Sequence, residues 1–221
     1  MNMDAATFVD EEEYRRYLAA LLAGDHRQCR AIFESILEGG IALRGIYQDL
    51  IQRSLYEVGA LWEVGRASVA TEHLATAITE SLLSLIYPRL FNRPHLGKSA
   101  VVTCVANEYH QVGGKMVADV FEMSGWRGYF LGANTSIEDL LDFIRDKAPS
   151  VVAFSLTVYF NLETLLEAAS AVRTAFPSIP ILAGGQAFRL GGRSRIEEIP
   201  GVRCIASLDS LESWMKCPDG Q

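Results

Sequence analysis

The chain has 221 residues, 49% of them hydrophobic and 21% charged, which is enough to bury a core in one large domain or two small ones. A formal net charge of −7 argues against a broad DNA-binding surface. Cys29, Cys104, Cys204 and Cys217 are scattered and form no Cys-x-x-Cys pair, so they read as reduced thiols rather than a zinc or redox motif.

The N-terminus carries Asp10-Glu11-Glu12-Glu13 instead of a basic flank and apolar core, so no signal peptide is expected. No apolar run is long enough to span a bilayer. A cytoplasmic location without a membrane partner is the expectation.

Residues 1–92 carry apolar positions at helical spacing over Glu12 to Ala23, His26 to Glu38, Ile41 to Gly59 and Ser68 to Phe91. Gly24, Gly39-Gly40 and Gly65 punctuate them, and Pro88 disturbs the last turn. Four helices with short connections predict an N-terminal four-helix bundle. Residues 92–98 hold both Pro94 and Gly97 and read as a linker.

Beyond it the period changes. Val101 to Val105, Gly128 to Leu131, Val151 to Ser155, Ile179 to Ala183 and Val202 to Ala206 are short apolar runs typical of buried parallel strands. Helical patterns at Val112 to Ser124, Ile137 to Asp146 and Leu162 to Phe176 alternate with them, and Ser136 with Asp139 resembles a capping box. Residues 98–217 therefore predict a five-stranded, doubly wound α/β domain, flavodoxin-like or Rossmann-like. In such sheets ligands bind beyond the carboxyl ends of the strands, where Glu108 to Gly113, Ser155 to Thr157 and Gly184-Gly185 all fall.

His110 lies in the first of these loops, with Glu108 two residues before it and Gly113-Gly114 after it. It reads either as a loop histidine bonded to Glu108 or as a metal ligand whose other ring nitrogen the carboxylate holds. Ser155, Thr157, Gly184 and Gly185 taken singly read as turn chemistry at strand ends. In the helical half, Trp62 precedes Glu72-His73 by nine residues; by itself this reads as a core Trp and a surface pair.

Glu-x-His-x-x-Gly resembles the cobalamin-binding motif of corrinoid proteins, where the first residue is more often Asp. Trp-x9-Glu-His resembles the upper-face motif of the cobalamin-dependent photoreceptors. The resemblance spans residues 10–215, nearly the whole chain. It implies that the bundle caps the upper face of adenosylcobalamin, with Trp62, Glu72 and His73 near the adenosyl group. His110 is then the lower cobalt ligand, oriented by Glu108, and the corrin lies close over the helix start at Gly113 and Gly114. Ser155, Thr157, Gly184 and Gly185 line the slot for the nucleotide tail, with the two glycines leaving room for it.

Two departures matter. The best-known photoreceptors carry an N-terminal winged helix, for which this chain has too little sequence before the bundle, so no direct DNA binding is expected. Glu63 stands where those regulators carry a histidine after the motif Trp. A bis-histidine light state through that position is excluded, leaving His73 or water as the upper ligand after light.

The reading is thus a non-enzymatic light sensor without catalytic residues, in which photolysis of the Co–C bond shifts the cap and changes homo-oligomerisation or contact with a protein partner. The alternatives are a corrinoid methyl carrier for a methyltransferase system and the small subunit of a cobalamin-dependent mutase. A second, bilin-type chromophore has no recognisable cysteine attachment motif here. Tyr159, Phe160 and Phe188 are read as core or tail-slot packing rather than a second pocket.

Overall fold

A computed structural model describes residues 8–217. The chain divides between Arg89 and Leu90 into two compact units.

In the first unit, helix α1 (Glu11–Ala23) starts where the Asp10 side chain accepts hydrogen bonds from the backbone N–H groups of Glu12 and Glu13. It ends at Gly24, whose φ of 68° is the left-handed conformation of a C-terminal cap. Helix α2 (His26–Glu38) is capped in turn by Asp25 and buries Cys29, Ile32, Phe33, Ile36 and Leu37 on one face. Each such fully buried aliphatic or aromatic side chain contributes roughly 1.5–3 kcal/mol.

The third helix is a composite. The short α3 (Leu43–Gly45) runs into a π-helical segment (Ile46–Gln52) and then α4 (Arg53–Glu63) without leaving helical backbone angles. It therefore continues past Gly59 and takes in Trp62, whereas apolar spacing alone ended it at Gly59. The π segment buries Ile46, Tyr47, Leu50 and Ile51.

Helix α5 (Val69–Ile86) begins at the N-cap Ser68 and ends before Pro88, where a single 3-10 turn (Tyr87–Arg89) follows. Tyr14 Oη donates to Glu57 Oε2 at 2.6 Å, and Arg53, stacked over the Tyr14 ring, pairs with Glu11, so α1 is tied to α4. The result is four helical rods with short connections.

The second unit is a five-stranded parallel sheet in the order β2-β1-β3-β4-β5. Its strands are β1 (Ser99–Cys104), β2 (Arg127–Phe130), β3 (Val151–Ser155), β4 (Ile181–Gly184) and β5 (Val202–Ile205). This is the flavodoxin-like rather than the dinucleotide-binding order, and it reverses direction between β1 and β3. Central strands buried on both faces explain the near-continuous apolar runs of β1 and β3.

One face, with Val101, Val152, Phe154, Ile181 and Ala183, packs on α7 (Ile137–Lys147), α8 (Leu162–Ala175) and the short α9 (Arg193–Glu197). The other packs on α6 (Val112–Met123) and α10 (Leu208–Lys216), where Phe121, Trp126 and Trp214 form a chain of tilted rings. Among the described residues no helix is long and apolar enough to cross a membrane. All four cysteines are free thiols.

Ser136 caps α7 by accepting from the Asp139 N–H, and its hydroxyl bonds the Asp139 carboxylate instead of completing a reciprocal box. The reciprocal box occurs at Ser207 and Ser210, opening α10, a helix the apolar pattern had not marked.

Candidate functional site

The sheet reverses between β1 and β3, and in sheets of this order ligands bind outside the carboxyl ends of the strands at that point. Glu108 sits in the first loop, fully buried, and its two oxygens are shared between the loops. Oε1 accepts from the backbone N–H of His110 at 3.0 Å and bonds His110 Nδ1 at 2.7 Å. Oε2 accepts from the backbone N–H groups of Thr157 and Val158 at 3.0 and 2.8 Å.

Burial pushes the Glu108 carboxyl upward, but the bonds from His110, Val158 and Thr157 outweigh it and hold the pKa below its ordinary value. The group is therefore ionised at neutral pH and can only accept, so the His110 Nδ1 in contact with it carries a proton. The His110 side chain is 42% exposed.

The loop around it is held at several points. Asn107, with a φ of 66°, donates its N–H to Asn134 Oδ1, and Asn161 Nδ2 donates to the Asn107 carbonyl. Cys104 Sγ lies 3.7 Å from the His110 carbonyl. Burial raises the Cys104 thiol to about 12, so it keeps its proton and can act as donor. Cys104, Asn134, Val158 and Asn161 carry no sequence signal as site residues, because their roles depend on contacts formed only in the fold.

The glycines serve packing. A Cβ at Gly113 would meet Ser155 Oγ at 3.3 Å, and one at Gly114 would meet Phe130 Cε2 at 3.0 Å, so both let α6 start close against the strands. A Cβ at Gly184 would lie 2.9 Å from the Ile205 carbonyl oxygen. At Gly185, where φ is +118°, it would lie 2.2 Å from the Leu156 carbonyl oxygen. On the side where a Cβ would point, both residues therefore meet neighbouring backbone. Ser155 is buried, while Thr157 enters through its backbone N–H.

Phe160 is 93% exposed and Tyr159 is also exposed, so neither belongs to the core; Phe188 is partly buried and packs on it. Among the described residues no three His, Cys, Asp or Glu side chains gather to hold a metal ion. A metal at His110 would have to bring its other ligands with it, as a macrocycle does.

In the first unit, Gly65 N–H donates to the Trp62 carbonyl and Arg66 N–H to the Leu61 carbonyl, making a tight turn from α4 into α5. This places Trp62, Glu72 and His73 at one end of the bundle. Trp62 is 47% exposed, contrary to the core role its residue type suggests. Val64, Val69 and Leu74 are also exposed beside it in sequence. His73 Nδ1 bonds Glu72 Oε2 at 2.6 Å, and Thr76 Oγ1 donates to Glu72 Oε1 at 3.1 Å.

Comparison with known proteins decides the family. A family model described as a B12 binding domain matches residues 98–207, and a second with the same description matches residues 13–87. The chain belongs to the B12-binding domain proteins.

Among its relatives are two Myxococcus xanthus proteins. The HTH-type transcriptional repressor CarH is 28% identical over 174 residues, 78% of this chain and 57% of that protein. The HTH-type transcriptional repressor CarA is 31% identical over 141 residues, 63% and 47% respectively. The chain thus spans about half the length of the curated relatives it matches.

The fold is shared with the Methanosarcina barkeri monomethylamine corrinoid protein, at a TM-score of 0.80 and 12% identity over 94% of this chain and 99% of that one. A weaker likeness, at a TM-score of 0.51 and 13% identity, is to the methanol:cobalamin methyltransferase complex MtaBC of the same organism, over 97% and 83%.

Proposed function

We propose that this B12-binding protein is a light sensor that holds adenosylcobalamin with His110 as its lower cobalt ligand. The observation that carries the ligand assignment is the fourfold-bonded Glu108 carboxylate, which fixes Nδ1–H of His110 and leaves coordination to Nε2. Glu108 also ties the β1 loop to the β3 loop, so the ligand is oriented before any cofactor arrives. Adenosylcobalamin, when bound, supplies a Co–C bond weak enough to be broken by light.

Trp62, Glu72 and His73 are proposed to surround the upper ligand, on the strength of their spacing and of the repressor relatives. A half-exposed Trp62 and an exposed His73, held by the partly buried Glu72, suit a surface meant to be covered. Loss of the upper ligand would change that end of the bundle and with it oligomerisation or contact with a protein partner. Glu63 provides no imidazole, so at that end of the bundle His73 is the side chain that could bind cobalt once light had removed the upper ligand, with water as the alternative. Ser155 and the backbone of Thr157 border the proposed tail slot, and a bilin has no supporting observation.

The experiment is an absorption spectrum of the chain loaded with adenosylcobalamin in darkness and again after green light, with size-exclusion chromatography of both samples. A light-induced spectral change accompanied by a change in elution is expected. Photolysis with unchanged elution and unchanged partner capture would reject the sensor. The second reading, a methyl carrier, draws on the shared fold with the corrinoid protein. It predicts methyl transfer to or from the bound corrinoid in the dark by a partner methyltransferase.

A further inference from the structure

At the opposite end of the sheet from Glu108 lies a surface cavity of about 390 Å³. Its walls include Arg173 of α8, Pro177 and Ser178 of the following turn, Gly201, Arg203 of β5 and Trp214 of α10. Ile181 and Val202, the first residues of β4 and β5, also line it, which places it at the amino ends of these strands. Cofactor loops sit at the carboxyl ends, so the two sites are distinct. The volume lies at the lower end of the range for small-molecule sites, about 300–1,000 Å³.

Arg173 is the unusual member. Its Nη1 donates to the Pro177 carbonyl, but Nε and Nη2 are buried and have no hydrogen-bond partner among the described residues. Buried guanidinium donors left unpaired are costly, and a native structure that keeps them usually has a partner for them. Nε–H and the parallel N–H of Nη2 form one edge of the planar fork, the edge that takes a single oxyanion in bidentate fashion.

Gly201, at a φ of +74°, makes room for this group, since a Cβ there would lie 2.5 Å from Nη2. Arg203 adds a second, exposed cation on the same wall. Glu197, which feels the Arg203 charge, is already held by Arg193 and by the Cys204 N–H. Two guanidiniums on a chain of net charge −7 make a local anion-attracting spot. Trp214, Pro177 and Pro180 supply an apolar wall beside it.

We propose that this cavity is a second ligand site, which takes a small organic phosphate. The oxyanion lies between Arg173 and Arg203, with the Arg173 fork swinging onto it, and the organic body rests against Trp214. No covalent step is involved.

The test is a titration of the full chain with phenyl phosphate, following the indole N–H signals of its three tryptophans by NMR, with Trp214→Phe to assign the signal. Inorganic phosphate and phenol are titrated in parallel. The expected result is a saturable shift of the Trp214 signal with phenyl phosphate, at least tenfold weaker binding of either fragment, and an unmoved Trp62 signal. Arg203→Gln, an exposed position, and Arg173→Lys, which keeps the charge but loses the fork, should each weaken binding about tenfold with the thermal midpoint preserved. If Arg173→Lys lowers the midpoint, Arg203→Gln decides alone.

No saturable shift, or equal affinity in Arg203→Gln, would overturn the site. Equal affinity for inorganic phosphate would overturn the organic ligand. The readout needs no cobalamin, so its outcome is independent of the cofactor reading.

Discussion

Two glutamate–histidine pairs in this protein have nearly the same contact distance, 2.7 Å for Glu108–His110 and 2.6 Å for Glu72–His73, yet they are built differently. Glu108 is fully buried, accepts four hydrogen bonds and joins loops about fifty residues apart in sequence. Glu72 and His73 are neighbours near the start of α5, and the His73 side chain is 72% exposed. The first pair is set in place by the fold and suits a permanent ligand. The second is held mainly by its own helix and suits a surface that rearranges. Contact distance alone therefore does not identify a functional histidine; what holds its partner does.

The comparison breaks most visibly at the loops that frame the first pair. Gly185→Ala forces a Cβ against the Leu156 carbonyl at a left-handed φ and should cost about 3 kcal/mol or more, read by denaturant unfolding. Little or no loss would mean that the β3 and β4 ends are looser than this packing implies.

Next comes the anchor itself. Glu108→Ala strands the N–H groups of His110, Thr157 and Val158 and should cost about 1–3 kcal/mol of stability. The same change should weaken cobalamin binding about 10–100-fold. At the second pair, the isosteric change Glu72→Gln should stay within about 0.5 kcal/mol, because Glu72 holds only its neighbour His73 and Thr76 of its own helix.

Acid titration probes the first pair. The Glu108 pKa lies below its ordinary value of 4.5 in the folded chain, so its contribution to stability is complete above that value. It is lost as pH falls through the lower, folded-state pKa. Glu108→Gln should flatten this acid-side loss in urea-unfolding curves, and an unaltered slope would contradict the ionised assignment. Smallest in stability is Trp62→Ala: removing a half-exposed ring should leave folding and cobalamin affinity nearly intact while altering the light response.

Much of this was legible in the sequence because the relevant signals are local. Periodicity located the strands and most helices to within a few residues, and Glu108 and His110 stand together in one loop with Gly113 in the first turn of the helix that follows. The π segment at Ile46–Gln52 is hidden, since its hydrogen-bond shift leaves the apolar pattern helical, and Gly59, a weak helix former, marks a helix end four residues short of the observed one at Glu63. Helix α10 is only nine residues long and carries too few periods to be marked.

The second half of the Glu108 network was out of reach, because backbone N–H groups at 157 and 158 carry no residue signature. Gly184 and Gly185 stand out in the sequence at a strand end, but their close contacts are with protein backbone, which only the pairing of β3, β4 and β5 reveals.

The measurement that bears most directly on the central claim is the absorption spectrum of cobalamin bound to the wild-type chain and to His110→Ala. The account predicts a histidine-ligated spectrum for the wild type that disappears in the variant, together with weaker binding. An unchanged spectrum in His110→Ala would contradict it.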